Sequence, residues 1–339
     1  MLLEIQQVEK VIHELGPLVR SEVLAYSRTH SLKLPIYKLS FGSEDPQAPV
    51  VGLVGGVHGL ERIGSQVCVS LLHSFSELLL WDEVIKESLK HLRVFFIPVV
   101  NPIGILKKTR SNPRGVDLMR NAPIEGEHPP RFLGGHRYSS KIPWYRGVEG
   151  APMEVESRAL VEAVQKEIFQ SPLAITVDFH SGFGIQDQIW FPYAKTTKAY
   201  PEIGLAHAFK SLFDRTFPHH FYKIEPQALN YTTHGDVWDY LYDKYREQYA
   251  LNGSAKGVYL PLCLEMGSWM WVKKNPLQLF NLQGHYNPIK SHRMKRTLRR
   301  HNTFFEFTLR AALSPQSWAY LSEEQRVKHE TLATELWYA

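Results

Sequence analysis

Apolar residues in this chain occur in two rhythms, short unbroken runs and sets spaced three and four apart, and the two alternate. Val50-Val51-Gly52-Leu53-Val54 is too short for a helix and reads as a buried strand. Residues 62–80 follow, with Ile63, Val67, Leu71, Leu72 and Phe75 on one helical face. Further runs at 34–40, 92–100, 173–180, 188–193 and 257–267 read as strands, the second stopped by Asn101-Pro102. Helical spacing recurs at 81–89, 154–169, 200–217, 236–245, 297–312 and 322–337. Residues 1–29, with Leu3, Ile5, Val8, Ile12, Leu15 and Leu18, read as one or two packing helices. Between 101 and about 150 the pattern dissolves into glycine, proline and charge; aromatics and arginines there, among them Arg131, Trp144 and Arg146, point to an ordered functional loop.

Strands that are apolar on both sides and alternate with helices imply an α/β fold: a mixed, largely parallel sheet flanked by helices on both faces. No repeat, low-complexity tract or linker interrupts it. The expected organisation is one domain over 1–339, with a core at about 35–285, a helical lead-in at 1–34 and a helical tail at 286–339. His58, His180 and Glu265 each fall at or near the C-terminal end of a strand, so parallel neighbours bring all three to one rim.

Composition narrows the picture. An apolar fraction of 44% with 12% aromatics supports a large core and excludes disorder. The N-terminus lacks the pattern of a secretory signal, and no unbroken apolar run reaches the roughly 18 residues of a membrane span. A cytoplasmic protein without membrane or nucleic-acid partners is expected. Cys68 and Cys263 sit in apolar settings and read as buried thiols. Net charge is +5, and the densest basic run, 290–300, reads as a solvated helix face without the interleaved aromatics that stack on bases. No Gly-x-Ser-x-Gly elbow occurs, which disfavours a serine hydrolase. Oligomeric state is not legible.

The candidate chemistry starts at Gly55-Gly56-Val57-His58-Gly59-Leu60-Glu61, where a His-x-x-Glu pair leaves a strand among glycines that make room for a metal and a substrate. Glu265, alone in Leu262-Cys263-Leu264-Glu265-Met266, sits where an apolar setting raises a carboxylate's pKa.

In order along the chain come His58-x-x-Glu61, Asn101-Pro102-x-Gly104, Lys108-Thr109-Arg110-Ser111, Gly115-Val116-Asp117-Leu118-Met119-Arg120-Asn121, Phe179-His180-Ser181 and Leu264-Glu265. Together they resemble the zinc metallocarboxypeptidases of the carboxypeptidase A type, over about 35–285. His180-Ser181-Gly182-Phe183-Gly184 is similar to a largely bacterial branch of that superfamily. The resemblance implies His58, Glu61 and His180 as ligands of one Zn2+, leaving a fourth position for water. It implies Asp117 as the carboxylate that orients a ligand imidazole, Glu265 as general base, Arg110 as the oxyanion stabiliser, and Arg120 as the grip on a terminal carboxylate. A tyrosine closes over that carboxylate in relatives; Tyr240 and Tyr242 both stand upstream of Glu265 as candidates.

The chain departs from that pattern at Met119, where an asparagine usually precedes the arginine. Methionine donates no hydrogen bond, which weakens the grip by about 1–3 kcal/mol if the missing donor was buried. The expected activity is removal of a C-terminal residue from a peptide. The alternatives are an amidase of cell-wall (murein) peptides and a deacylase of N-acyl amino acids, both run by the same zinc site. Specificity in relatives is set just before the last strand; here Lys256 is the candidate for favouring an acidic group.

Overall fold

The computed structural model describes residues 2–251 and 257–339. Helix α1 (Leu3–Leu15) is followed by strands β1 (Arg20–Arg28), β2 (Lys33–Gly42) and β3 (Val50–Gly55), then α2 (Arg62–Trp81), α3 (Glu83–Ser88), β4 (Arg93–Ile97) and α4 (Pro102–Lys107). Next come α5 (Val155–Ile168), β5 (Leu173–Ser181), β6 (Gln188–Phe191), α6 (Ile203–Thr216), β7 (Lys223–Pro226), α7 (Val237–Leu251) and β8 (Val258–Met266). The chain ends in α8 (Trp269–Lys274), α9 (Ser291–Arg300), α10 (Asn302–Leu313) and α11 (Glu323–Trp337).

One eight-stranded sheet has the order β1-β2-β4-β3-β5-β8-β6-β7. Its centre, β4-β3-β5-β8, is parallel, while β1, β2 and the β8–β6 junction are antiparallel. The sheet is thus mixed with a parallel centre, as the alternation of patterns predicts.

Period-two alternation sorts the central side chains. Val51, Leu53, Val177 and Phe179 face α10, where they meet Phe304, Phe305 and Thr308. Phe305 in turn packs on Phe75 of α2, ring centroids 5.8 Å apart. The other face carries Thr176, Asp178 and His180. Thr176 meets Tyr259 at 3.0 Å, and Asp178 accepts a hydrogen bond from Trp238 Nε1 of α7 at 2.9 Å. Helices therefore cover both faces, as parallel strands require. Among the described residues, α2 alone is long and apolar enough to cross a membrane; 61% of that stretch is buried inside the protein, where it serves as a core helix.

Two elements differ from the sequence reading. Residues 20–28, expected to be helical, form β1, and the helical lead-in is α1 alone. β1 is an edge strand paired only with β2 and mostly exposed, so its apolar alternation is faint. β7, on the other edge, is mostly buried but only four residues long, too short for a periodicity to show. The stretch 101–150 is ordered by polar pairing: Asn101 caps α4, and Arg146 pairs with Glu125 at 2.8 Å.

Candidate active site and metal centre

The register of the central strands builds the site. β5 and β8 pair in parallel with His180 opposite Glu265 and Asp178 opposite Cys263, so histidine and glutamate stand side by side on one face. β3 pairs β5 with Gly55 opposite Phe179, and the turn beyond it carries His58 to the same rim. Glycine is required there. A Cβ on Gly59 would come within 2.0 Å of Gly104 backbone, and one on Gly64 within 2.1 Å of the Phe179 carbonyl oxygen.

His58, Glu61 and His180 are all buried, and one ligand atom from each falls within 4.8 Å of the others. His58 Nδ1 is 3.0 Å from Glu61 Oε1, and His180 Nδ1 is 3.0 Å from Glu61 Oε2. The far nitrogens point outward: His58 Nε2 donates to Asp117 at 3.0 Å and His180 Nε2 to Asp178 at 2.7 Å. With Nε2 as donor, each Nδ1 is left facing Glu61, ready to carry a proton or to turn its lone pair on a cation. Burial opposes charge on His180, but Asp178 and Glu61 outweigh it and raise its pKa well above the usual value. Burial likewise opposes charge on Glu61, and the two histidines hold it well below the carboxylate range. The cluster therefore calls for positive charge at its centre. Two imidazoles and a carboxylate are a donor set that fits zinc with a position left for water.

Asp117 organises the second side of the site. Its side chain caps the turn Leu118–Arg120 by accepting from Met119 N at 3.1 Å. It also accepts from His58, from Arg110 Nε at 2.8 Å and from Arg120 Nη1 at 3.1 Å. Burial works against its charge, and those cations still hold it well below the usual range. Arg110 reaches Glu61 as well, at 2.9 Å; burial disfavours its charge, and the two carboxylates raise its pKa nonetheless. Glu265 is buried, with Oε1 held by Phe183 N–H at 3.0 Å. Burial, reinforced by the Glu61 charge, pushes its carboxyl up to about 8.

These groups face one cavity of about 130 Å³, walled by His58, Glu61, His180, Arg110, Arg120 and Glu265. Met119 lines it too, with a side chain that offers no donor. Tyr240 and Tyr242 do not reach it. Tyr242 is fully buried with its ring 4.7 Å from that of Tyr200, and Tyr240 lies under Lys244. The tyrosines that do stand in the cavity wall are Tyr231 and Tyr286, both outside regular structure or at its edge, where no periodicity marks them. Burial pushes the Tyr231 phenol up to about 12, so it remains a neutral donor. Asp178 is legible from strand periodicity: two residues before His180 on one strand, it must share that histidine's face. Asp236, the buried residue before α7, also lines the cavity. Lys256 lies outside the described residues.

Among curated proteins, none matches the sequence. Among solved structures, bovine thrombin-activatable fibrinolysis inhibitor in complex with tick carboxypeptidase inhibitor superposes with a TM-score of 0.64 at 16% identity, covering 92% of this chain and 96% of that one. Carboxypeptidase A from Helicoverpa armigera gives 0.63 at 14%, covering 91% and 71%. At such identities the likeness is one of fold. The family model described as zinc carboxypeptidase matches residues 22–261, which takes in the His58, Glu61 and His180 cluster and stops short of Glu265. Because that match covers well over half of the 339 residues, the chain belongs to the zinc carboxypeptidase family, a family of zinc metallopeptidases.

Proposed function

We propose that the protein is a metallocarboxypeptidase that removes a C-terminal residue from a peptide, with one zinc held by His58, Glu61 and His180. The observation that carries this reading is the convergence of Glu265 and two guanidiniums, Arg110 and Arg120, with that cluster on one small cavity. At about 130 Å³ it is well below the roughly 300–1,000 Å³ of general ligand sites, a size suited to one terminal residue.

Zinc bound there supplies a Lewis acid that polarises the scissile carbonyl and acidifies water. Glu265 takes the water's proton and passes it to the departing amine. The Phe183 N–H fixes one of its oxygens and leaves the other free for the transfer. Arg110, aligned by Asp117, places positive charge where the carbonyl oxygen gains negative charge. Arg120, held by Asp117 and by the Leu133 carbonyl at 2.9 Å, presents a fixed cation to the substrate carboxylate. Tyr231 closes that end as a neutral hydrogen-bond donor, and the Gln227 amide in the same wall supplies a donor that Met119 lacks. Asp117 and Asp178 keep both imidazoles turned the right way.

The deciding experiment pairs metal analysis with mass spectrometry of one peptide bearing either a free or an amidated C-terminus. One zinc per chain with stepwise shortening of the free form alone is the expected result. Equal cleavage of both forms, or cleavage only of murein peptides or N-acyl amino acids, overturns the proposal.

A further inference from the structure

Charge is spread unevenly along this chain. Residues 266–305 hold eight Lys and Arg and no Asp or Glu. The remainder has 39 − 8 = 31 basic against 34 acidic residues, a net −3, so the whole positive balance of +5 resides in these forty positions. Two of the eight are fastened: Arg300 pairs with Asp187, and Arg293 donates to the Trp271 and Lys274 carbonyls at 3.1 and 3.3 Å. Lys273, Lys274, Lys290, Lys295, Arg296 and Arg299 are exposed.

Between α8 and α9 the same segment turns several large apolar side chains to solvent, while Trp271, Phe304 and Phe305 stay in the core. Leu277 is 74% exposed, Phe280 89%, Leu282 62% and Leu279 54%. They are held out by a polar framework beneath them. Gln278, itself buried, donates to the Gly284 carbonyl at 2.9 Å and the Asn287 carbonyl at 3.3 Å. Asn287 ties that framework to the site by accepting from Ile63 N and donating to the Leu60 carbonyl, both at 2.8 Å. Ser181, next to His180, donates to the Tyr286 carbonyl at 2.7 Å, and Trp269 Nε1 donates to Gly182 at 3.1 Å. The apolar residues are therefore fixed beside the cavity mouth.

Clustered apolar side chains exposed to water mark a surface awaiting a partner. Charge complementarity selects which. A second copy would bring an equally basic face against this one, and like charges repel. A nucleic acid matches the charge but offers nothing to Leu277, Leu279 and Leu282, since bases stack on aromatic rings. Hydrocarbon for the leucines and Phe280, with anionic phosphates for the lysines and arginines, meets both demands at once. We propose that residues 266–305 form a docking face for an anionic phospholipid surface. On it, Leu277, Leu279, Phe280 and Leu282 enter the boundary between headgroups and acyl chains. This sets aside the expectation of no membrane partner, and it holds whatever substrate the cavity accepts.

The test is cosedimentation of the full chain with vesicles of phosphatidylcholine alone and with vesicles also containing phosphatidylglycerol, at low and high salt. Binding to the anionic vesicles that weakens with salt is expected. The double variant Leu277→Ser/Phe280→Ser should lower the partition coefficient at least tenfold. Each of Lys273→Gln, Lys274→Gln and Lys290→Gln should lower it about fivefold. All five side chains are exposed, so unchanged thermal midpoints keep the comparison clean. Equal binding to both vesicle types, no binding to either, or anionic binding indifferent to Leu277→Ser/Phe280→Ser overturns the proposal. So does binding confined to an oligonucleotide or an acidic polypeptide.

Discussion

The two ends of the central strands use the same residue types to opposite ends. At the N-terminal ends of β3 and β4, Arg93 is buried and closes on Glu167 of α5, Nε at 2.8 Å, and the buried Lys38 of the neighbouring β2 reaches the same carboxylate at 2.8 Å. Arg93 also donates to the Asp45 and Glu167 carbonyls at 3.1 and 2.9 Å. Those charges tie α5 to the sheet. At the C-terminal ends, Glu61, Arg110 and Arg120 line a cavity, with Asp117 behind the two arginines and Glu265 pushed up to about 8 beside them. Closed pairing fastens; charge convergent on a cavity leaves groups whose protonation a substrate and a metal can exploit.

The largest effect that would separate the two ends is on rate. Glu265→Gln should lower kcat by roughly 10²–10⁴ while zinc analysis still finds the metal, if Glu265 moves the proton; near-full activity removes it as the base. At the opposite end, Glu167→Ala should destabilise by about 3–5 kcal/mol, because Lys38 and Arg93 lose their buried partner. Denaturant titration reads that loss, and kcat of the folded fraction should stay unchanged; a fall in kcat would mean the two ends are coupled. Asp178→Asn takes the charged acceptor from His180 Nε2, and metal competition with a chelator should show affinity about 10–100-fold weaker. Met119→Asn restores a donor beside Arg120 and should lower KM for a free peptide C-terminus about tenfold, leaving an amidated one unaffected.

The smallest effect lies away from both ends. His207 Nδ1 meets His329 Nδ1 at 2.8 Å between α6 and α11. Burial first, then the neighbouring His329, lowers the His207 pKa to about 4. The unfolded chain takes up that proton near pH 6.5, so between there and about 4 it binds more protons than the folded one. This contribution to stability is whole above pH 6.5 and is lost as pH falls toward 4. Thermal midpoints at constant metal should drop over that window, and less steeply in His207→Phe; parallel curves for the two would rule this pair out.

What could be read from the chain follows interaction range. The central strands announce themselves because burial on both faces leaves unbroken apolar runs, and His58, His180 and Glu265 stand at their ends. Asp178 follows from strand periodicity alone. β1 is not legible because its edge position leaves it mostly exposed, and β7 because four residues are too few for a periodicity. The cavity tyrosine is not marked by any periodicity. Tyr242 sits on a helix whose buried face packs on Tyr200, whereas Tyr231 comes from the stretch before α7.

Sequence by itself determined the alternation of elements, the parallel centre of the sheet and the rim to which two histidines and a glutamate are delivered, because these depend on local periodicity and on strand direction. Tertiary structure decided that Asp117 backs His58 and that Arg110 bridges Glu61 and Asp117. It also decided that Tyr231 and Tyr286 line the cavity while Tyr242 fills the core. Those outcomes depend on contacts between distant residues, 59 positions apart for His58 and Asp117 and 49 for Glu61 and Arg110, and no local pattern encodes them.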